Sequence, residues 1–219
     1  CVSNAILLPL AAGLIGLWVW RLRTRPAMPP AAATSARRAW GRAALYLALF
    51  AVQCLMARCL WFYFGFDPTS VRQGAAALAA GQPLSEEVAA YFRQCPNNAP
   101  LTVLLSLPYR LGMLLGLAEP YVLEVYGSAL LLNLSVFLAM TVLRRLKVRK
   151  SVRRVGFGLA VVWLMFSPFL IMPYTDTYSC LFPVLALLIL LTGWKAPVRY
   201  GLAALCCSIG GAIKPSVYI

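Results

Sequence analysis

Apolar runs of about 17 to 25 residues, separated by short clusters of arginine and lysine, set the limits on what this chain can fold into. Such a run is long enough to cross a hydrocarbon core of roughly 30 Å, and lipid offers no water to satisfy an exposed backbone. The runs must therefore be helices. Hydrophobic residues make up 62% of the chain and charged residues 12%, a balance that fits lipid rather than water as the main solvent. A net charge of +14 raises nucleic acid as a partner, but that reading needs a basic face on a soluble domain. Here the basic residues lie between apolar runs and act as orientation signals. The expected class is all-α: a polytopic, multi-pass helical bundle of the cell membrane with about six spans, in contact with membrane lipid and not with nucleic acid.

Taken in order, Asn4 to Trp20 is a charge-free run closed by Arg21, Arg23 and Arg25, without the basic leading region of a signal peptide. Pro26 to Thr34 reads as a linker, and Arg37, Arg38 and Arg42 complete a loop of six arginines that belongs in the cytoplasm. Residues 1–42 thus form an N-terminal span with its basic loop, and 43–219 a transmembrane core. The core's first span is expected from Ala43 to Phe64, with Arg58 as an internal pair or a snorkelling side chain and Trp61, Phe62, Tyr63 and Phe64 as an interfacial aromatic belt. A polar outer stretch follows, from Asp67 to Asn98.

Pro100 to Leu117 then decides the topology. If both it and the next run crossed, Arg144, Arg145, Lys147, Arg149, Lys150, Arg153 and Arg154 would all be exported, against the orientation rule. Pro100 to Leu117 is therefore placed along the outer interface as an amphipathic helix, and Tyr121 to Leu143 crosses. Further spans are expected over Val155–Met172 and Tyr178–Trp194 and from Tyr200 onward, with Lys195 and Arg199 inside. Six, seven and two of the 20 basic residues then occupy three inner loops, while all six acids, Asp67, Glu86, Glu87, Glu119, Glu124 and Asp176, fall outside or at the outer boundary. The chain opens on Cys1 rather than Met and closes at Ile219 inside an apolar run, so a fragment of a longer protein, incomplete at its C-terminus, is expected.

Few residues are left to carry chemistry. Asp67, ending a helix with Pro68 fixing the backbone beyond it, reads either as a general base at the water–lipid boundary or as an Asp-Pro turn. Asp176 fits an N-cap at the head of a descending span. Glu124, in the outer turn of a span, needs a partner. Arg72 and Lys214 have the charge to hold a phosphate, with snorkelling as the other reading for Lys214. Tyr91, Phe92, Pro96, Asn97 and Asn98 suggest a turn that returns the chain to the membrane. Gly210 and Gly211 suggest close helix packing. With no histidine and no paired Cys-x-x-Cys spacing, a zinc site is not expected; no cofactor is named by these residues, and a divalent cation stays open. Cys54, Cys59, Cys206 and Cys207 read as buried thiols, and Cys95 and Cys180, on the same side, as either a disulfide or free thiols.

An aspartate closing a span, a polar outer stretch, a Pro-led interfacial helix with Tyr109-Arg110 near its middle, a span ending in Arg144-Arg145 and a second aspartate heading a later span together resemble the amino-terminal half of the GT-C membrane glycosyltransferases. The likeness runs over Ala43 to Ile219. It is nearest to bacterial protein-mannosyltransferase-like and aminoarabinose-transferase-like members, including Gram-positive relatives with Tyr-Phe-x-x-x-Pro-Asn-Asn, matched by Tyr91, Phe92, Pro96, Asn97 and Asn98. The resemblance implies an enzyme that transfers a sugar from a polyprenyl-phosphate-linked donor to an acceptor hydroxyl on the outer face. It maps the first-loop catalytic aspartate onto Asp67, a later-loop acid onto Asp176, and a basic residue near the lipid phosphate onto Lys214. Arg72, Tyr91, Asn97 and Asn98 join them as expected substrate-binding residues. Pro68 departs from the protein mannosyltransferases proper, in which a second acid follows the aspartate. The rival class is a membrane transporter or flippase subunit, with Arg58, Pro168 and Pro173 as its footing.

Overall fold

The computed structural model describes residues 36–60, 65, 67–119, 121–167, 170, 172 and 175–214. The expected span Asn4–Trp20, its linker and the aromatic belt at 61–64 lie outside the described residues. Every regular element among the described residues is helical: α1 (Ala36–Leu60), α2 (Asp67–Ala80), α3 (Glu86–Gln94), a 3₁₀ turn (Pro96–Asn98), α4 (Ala99–Leu114), α5 (Tyr121–Arg145), α6 (Lys150–Ala160) running into a π-turn (Val161–Met165), α7 (Thr175–Ser179), α8 (Leu181–Leu190) and α9 (Ala196–Ile213). Three helices are long and apolar enough to cross a membrane, over Trp40–Leu60, Tyr121–Arg145 and Ala196–Ile213; Thr175–Leu190 is a shorter apolar stretch. Of the other expected spans, α6 widens into the π-turn, which ends at Met165, and the Tyr178–Trp194 segment is helical as far as Leu190.

The stretch from Asp67 to Asn98, expected as a polar loop, is two helices. Asp67 does not close a helix but opens α2, with buried Pro68 in its first turn, where a missing N–H costs nothing. Ser85 caps α3, its hydroxyl accepting from the Val88 amide at 3.3 Å. Helices α2 and α4 each end on a left-handed glycine, Gly81 (φ 67°) and Gly116 (φ 65°), with amide bonds Gln82 N to Ala77 O and Leu117 N to Gly112 O closing the turns at 2.9 Å.

Helix α4 buries Leu101, Thr102, Leu105, Ser106 and Tyr109 and leaves Val103, Leu107, Arg110, Leu111 and Leu114 exposed.

Three packed layers hold the bundle. Ala57 of α1 meets Val125, Ala129 and Leu132 of α5, with Leu170 alongside. In the same seam Gln53 donates to the Met165 carbonyl, released where the π-turn ends, at 2.7 Å, and accepts from Asn133. A second layer joins Val71 and Ala75 of α2 to Leu101, Leu105 and Tyr109 of α4, Tyr178 of α7 and Ile213 of α9. A third pairs Ala186 and Ile189 of α8 with Ala203 and Cys206 of α9. The contacts fix two ends. Lys214 meets Asp176 at one, and Arg145 donates to the Leu191 carbonyl at 3.2 Å at the other. Cys95 and Cys180 are free thiols, not a disulfide.

Gly74 of α2 sits where α3 and α4 close in: a Cβ there would lie 2.9 Å from the Phe92 ring and 3.0 Å from Thr102 Cγ2. By contrast, nothing lies within 4 Å of a Cβ at Gly158 in α6. Gly74→Ala should therefore lower stability by about 1–3 kcal/mol from overpacking, less the roughly 1 kcal/mol that alanine adds to any helix. Gly158→Ala should raise it by about 1 kcal/mol. Thermal unfolding in detergent reads both signs, and equal shifts would contradict the packing described.

Candidate functional site

The centre of the acid-rich end is Glu124, whose side chain is 1% exposed. An isolated carboxylate at such a place is costly, and an arginine and a tyrosine offset that cost, while two further hydroxyls hold the backbone carbonyl of the same residue. Arg72 of α2 grips it as a fork: Nε donates to Oε1 at 3.0 Å and to Oε2 at 3.2 Å, and an Nη donates to Oε1 at 2.9 Å. The Tyr109 hydroxyl of α4 donates to Oε2 at 2.9 Å. Tyr178 of α7 reaches the Glu124 carbonyl at 3.2 Å, and Ser128 reaches the same oxygen at 3.1 Å. Four helices are thus tied to one residue. Arg72, expected as a phosphate ligand, is only 11% exposed at its side chain and has its fork turned inward on Glu124.

Beside this lock lies a second group. Asp67 begins α2 and stands close enough to the Tyr91 hydroxyl for its charge to act on it. The Asn98 amide donates to the Tyr91 oxygen at 2.5 Å. Asn98 is held in turn by Thr102, whose hydroxyl donates to its carbonyl at 2.9 Å. Partial burial pushes Tyr91 up to about 12, the Asn98 bond opposing and the Asp67 charge adding to the shift. It therefore stays protonated at neutral pH. Of the expected residues, Asp67, Tyr91 and Asn98 converge; Asn97 is exposed, touching Asn98 Oδ1 at 3.4 Å.

Asp176 lies within the first turn of α7 rather than before it, and its half-exposed carboxylate forms an ion pair with Lys214 at the end of α9. The expected N-cap is thus an ion pair. Val71 lies four residues past Asp67, Tyr178 two past Asp176, and Ile213 just before Lys214, and all three share one apolar cluster against which Tyr91 packs. Both aspartates border the same packed layer. Next to it runs an apolar groove of about 320 Å³, lined by Leu104, Leu107, Leu130, Leu131, Tyr178 and Phe182 among others.

At the margin, Arg58 donates to Glu119 at 2.9 Å and Tyr121 donates to the same carboxylate at 3.1 Å, holding Glu119 below the usual carboxylate range. Glu86 pairs with Arg93 at 2.7 Å on an exposed face of α3, and Glu87 stands in the same first turn. Among the described residues no three cysteines or acids come together as a metal-binding set.

Ser128 and Tyr178 are not singled out as partners by the sequence, and Tyr109 enters there only through the Tyr-Arg of the Pro-led helix. The one signal for them is Glu124, which demanded a partner without naming it. A family model described as "Conserved hypothetical integral membrane protein" matches residues 8–219. No curated protein and no solved structure matches the chain.

Two outcomes follow from this geometry. Arg72→Ala leaves Glu124 buried without its counter-charge and should cost about 3–5 kcal/mol, most of it recovered when Glu124→Gln is added, as a double-mutant cycle in detergent would read. Tyr91 ionises later in the folded protein than its ordinary 10.0, so its contribution to stability is full below that pH and is lost as pH rises to about 12. Tyr91→Phe should remove that alkaline slope in unfolding midpoints measured against pH.

Proposed function

The chain belongs to a family of conserved hypothetical integral membrane proteins, and on that premise we propose that it is a multi-pass membrane glycosyltransferase of the GT-C kind, with about six spans, its acid-rich end facing outward. It takes a sugar from a polyprenyl-phosphate donor and passes it to an acceptor hydroxyl. The observation that carries the reading is the convergence of the Asp67–Tyr91–Asn98 group and the Asp176–Lys214 pair around one apolar layer beside the groove under Tyr178 and Phe182. A carboxylate, an ammonium and an apolar channel are the three chemistries that a lipid-linked sugar phosphate needs.

In this mechanism the Asp67 carboxylate takes the proton of the acceptor hydroxyl while the hydroxyl oxygen attacks the anomeric carbon. The bond from that carbon to the phosphate oxygen breaks, the electron pair leaves with the polyprenyl phosphate, and the anomeric centre inverts. Tyr91, protonated and held by Asn98, fixes the orientation of Asp67. Lys214, kept in place by Asp176, faces the charge that gathers on the departing phosphate. Arg72 acts one step back, locking α2 onto Glu124 so that Asp67 is presented from a rigid helix start.

Transporter function is the second reading, favoured by one observation. Gln53 and Asn133 form a buried polar pair midway along α1 and α5, and Asn133 Oδ1 has no partner there. The two readings separate cleanly. Membranes containing Asp67→Asn in the full-length protein should transfer sugar about 10²–10⁴-fold more slowly than the parent, with the protein still folded. Unchanged transfer removes Asp67 from the chemistry, and solute uptake into vesicles without consumption of a lipid-linked sugar selects the transporter.

A further inference from the structure

The opposite end of the bundle holds a cavity of about 520 Å³ between α1, α5 and α6, and five of its lining residues are cations: Arg42, Arg144, Lys150, Arg153 and Arg154. No carboxylate lines it. None of the ion pairs among the described residues reaches these five side chains. All six acids of the chain lie elsewhere, Asp67, Glu119, Glu124 and Asp176 among them at the other end. Arg42 and Arg153 stand close enough to Arg144 to repel it. Like charges gathered at this density destabilise a fold unless an anion joins them.

A second feature of the same cavity calls for an anion. Helix α6 starts at Lys150 after Arg149, with no side chain capping its free amides and no acid in its first turn. The start of a helix carries partial positive charge and favours acids there. This one presents Lys150, Arg153 and Arg154 instead. Uncapped amides and a cluster of cations lie together, and no carboxylate among the described residues answers either, Arg144 having only the Thr141 hydroxyl and the Phe137 ring.

The surroundings identify the source of the anion. The cavity wall continues into Tyr46, Met140 and Phe157, and the flanking surface is apolar and exposed, with Leu45 at 46%, Val155 at 63% and Leu159 at 56%. Exposed apolar surface beside cations marks the level at which acyl chains give way to headgroups. A free phosphate has no use for the apolar wall; a lipid has.

We propose that this cavity is a binding site for an acidic phospholipid of the adjoining leaflet, its phosphate among Arg42, Arg144, Arg153 and Arg154 and its glycerol and first methylenes against Tyr46 and Phe157. The site is distinct from the acid-rich end and does not rest on the transfer reaction. It clamps α6 to α1 and α5 by supplying the negative charge that this end of the three helices lacks.

The test uses the full chain purified in detergent and offered phosphatidylglycerol, phosphatidylcholine or inorganic phosphate, with native mass spectrometry reading retained lipid and thermal unfolding reading stability. Phosphatidylglycerol should be retained and should raise the midpoint, and the other two should do neither. Arg153→Gln and Arg154→Gln should each weaken phosphatidylglycerol retention about five-fold, the loss that goes with one basic contact. Arg149→Gln, exposed and outside the cavity, should leave retention unchanged. In phosphatidylcholine the Gln variants should unfold at or above the parent's midpoint, since each removes a repelled charge; Arg154 is exposed, so its variant carries the test if Arg153→Gln does not fold. Equal retention of the two lipids overturns the proposal, as does unchanged retention in both cavity variants. An equal loss in Arg149→Gln would reduce the effect to diffuse attraction, and a full midpoint shift from inorganic phosphate alone would make the ligand a free anion; either result also overturns it.

Discussion

A single buried carboxylate organises the acid-rich half of this bundle. Glu124 has almost no access to water, so its charge must be met by the protein, and the groups that meet it come from α2 and α4, while Tyr178 of α7 holds its backbone carbonyl. Apolar helices in lipid gain little by touching one another, since lipid tails are as apolar as leucine. A buried charge with directional partners supplies what greasy surfaces cannot: it selects one rotation and one depth for each helix. Arg72 and Tyr109 satisfy Glu124 only from the positions they hold here.

That lock has consequences for the proposed chemistry. Asp67 and Arg72 are five residues apart on α2, so fixing Arg72 on Glu124 also fixes the first turn of the helix from which Asp67 projects. Tyr91 and Asn98 then complete the placement from the other side, and Asp176 with Lys214 closes the margin where α7 meets the end of α9. On the proposed reading, a rigid interior carries a softer, half-exposed rim. Such a division suits a site that must hold its base still and admit a lipid-linked substrate along an apolar groove.

Charge is partitioned along the bundle in a way that serves both ends. Acids are met one by one, Glu124 by Arg72, Glu119 by Arg58 and Asp176 by Lys214. The cations near the start of α6 have no such answer within the described chain. An acid-rich end that completes itself and a basic end that looks outward for its counter-charge are two solutions to the same shortage of polar surface in a chain that is 62% hydrophobic.

Residue order alone determined the helical class, a span from Tyr121 to Leu143 that the structure extends to Arg145, the segregation of acids from the basic clusters, and the need of Glu124 for a partner, because hydrocarbon thickness and the cost of bare backbone and charge act on any sequence in lipid. It also placed Asp67, Tyr91 and Asn98 within one stretch. What it could not reach were facts that depend on which faces meet. The Asp67–Asn98 stretch reads as a loop because its apolar residues are few, yet Val71 and Ala75 suffice once α4 stands against them. Arg72 reads as a ligand and Asp176 as a cap because a side chain's partner is chosen by distance in three dimensions, and only the packing of α2 on α4, of α4 on α5 and of α9 on α7 brought Glu124 and Lys214 within reach.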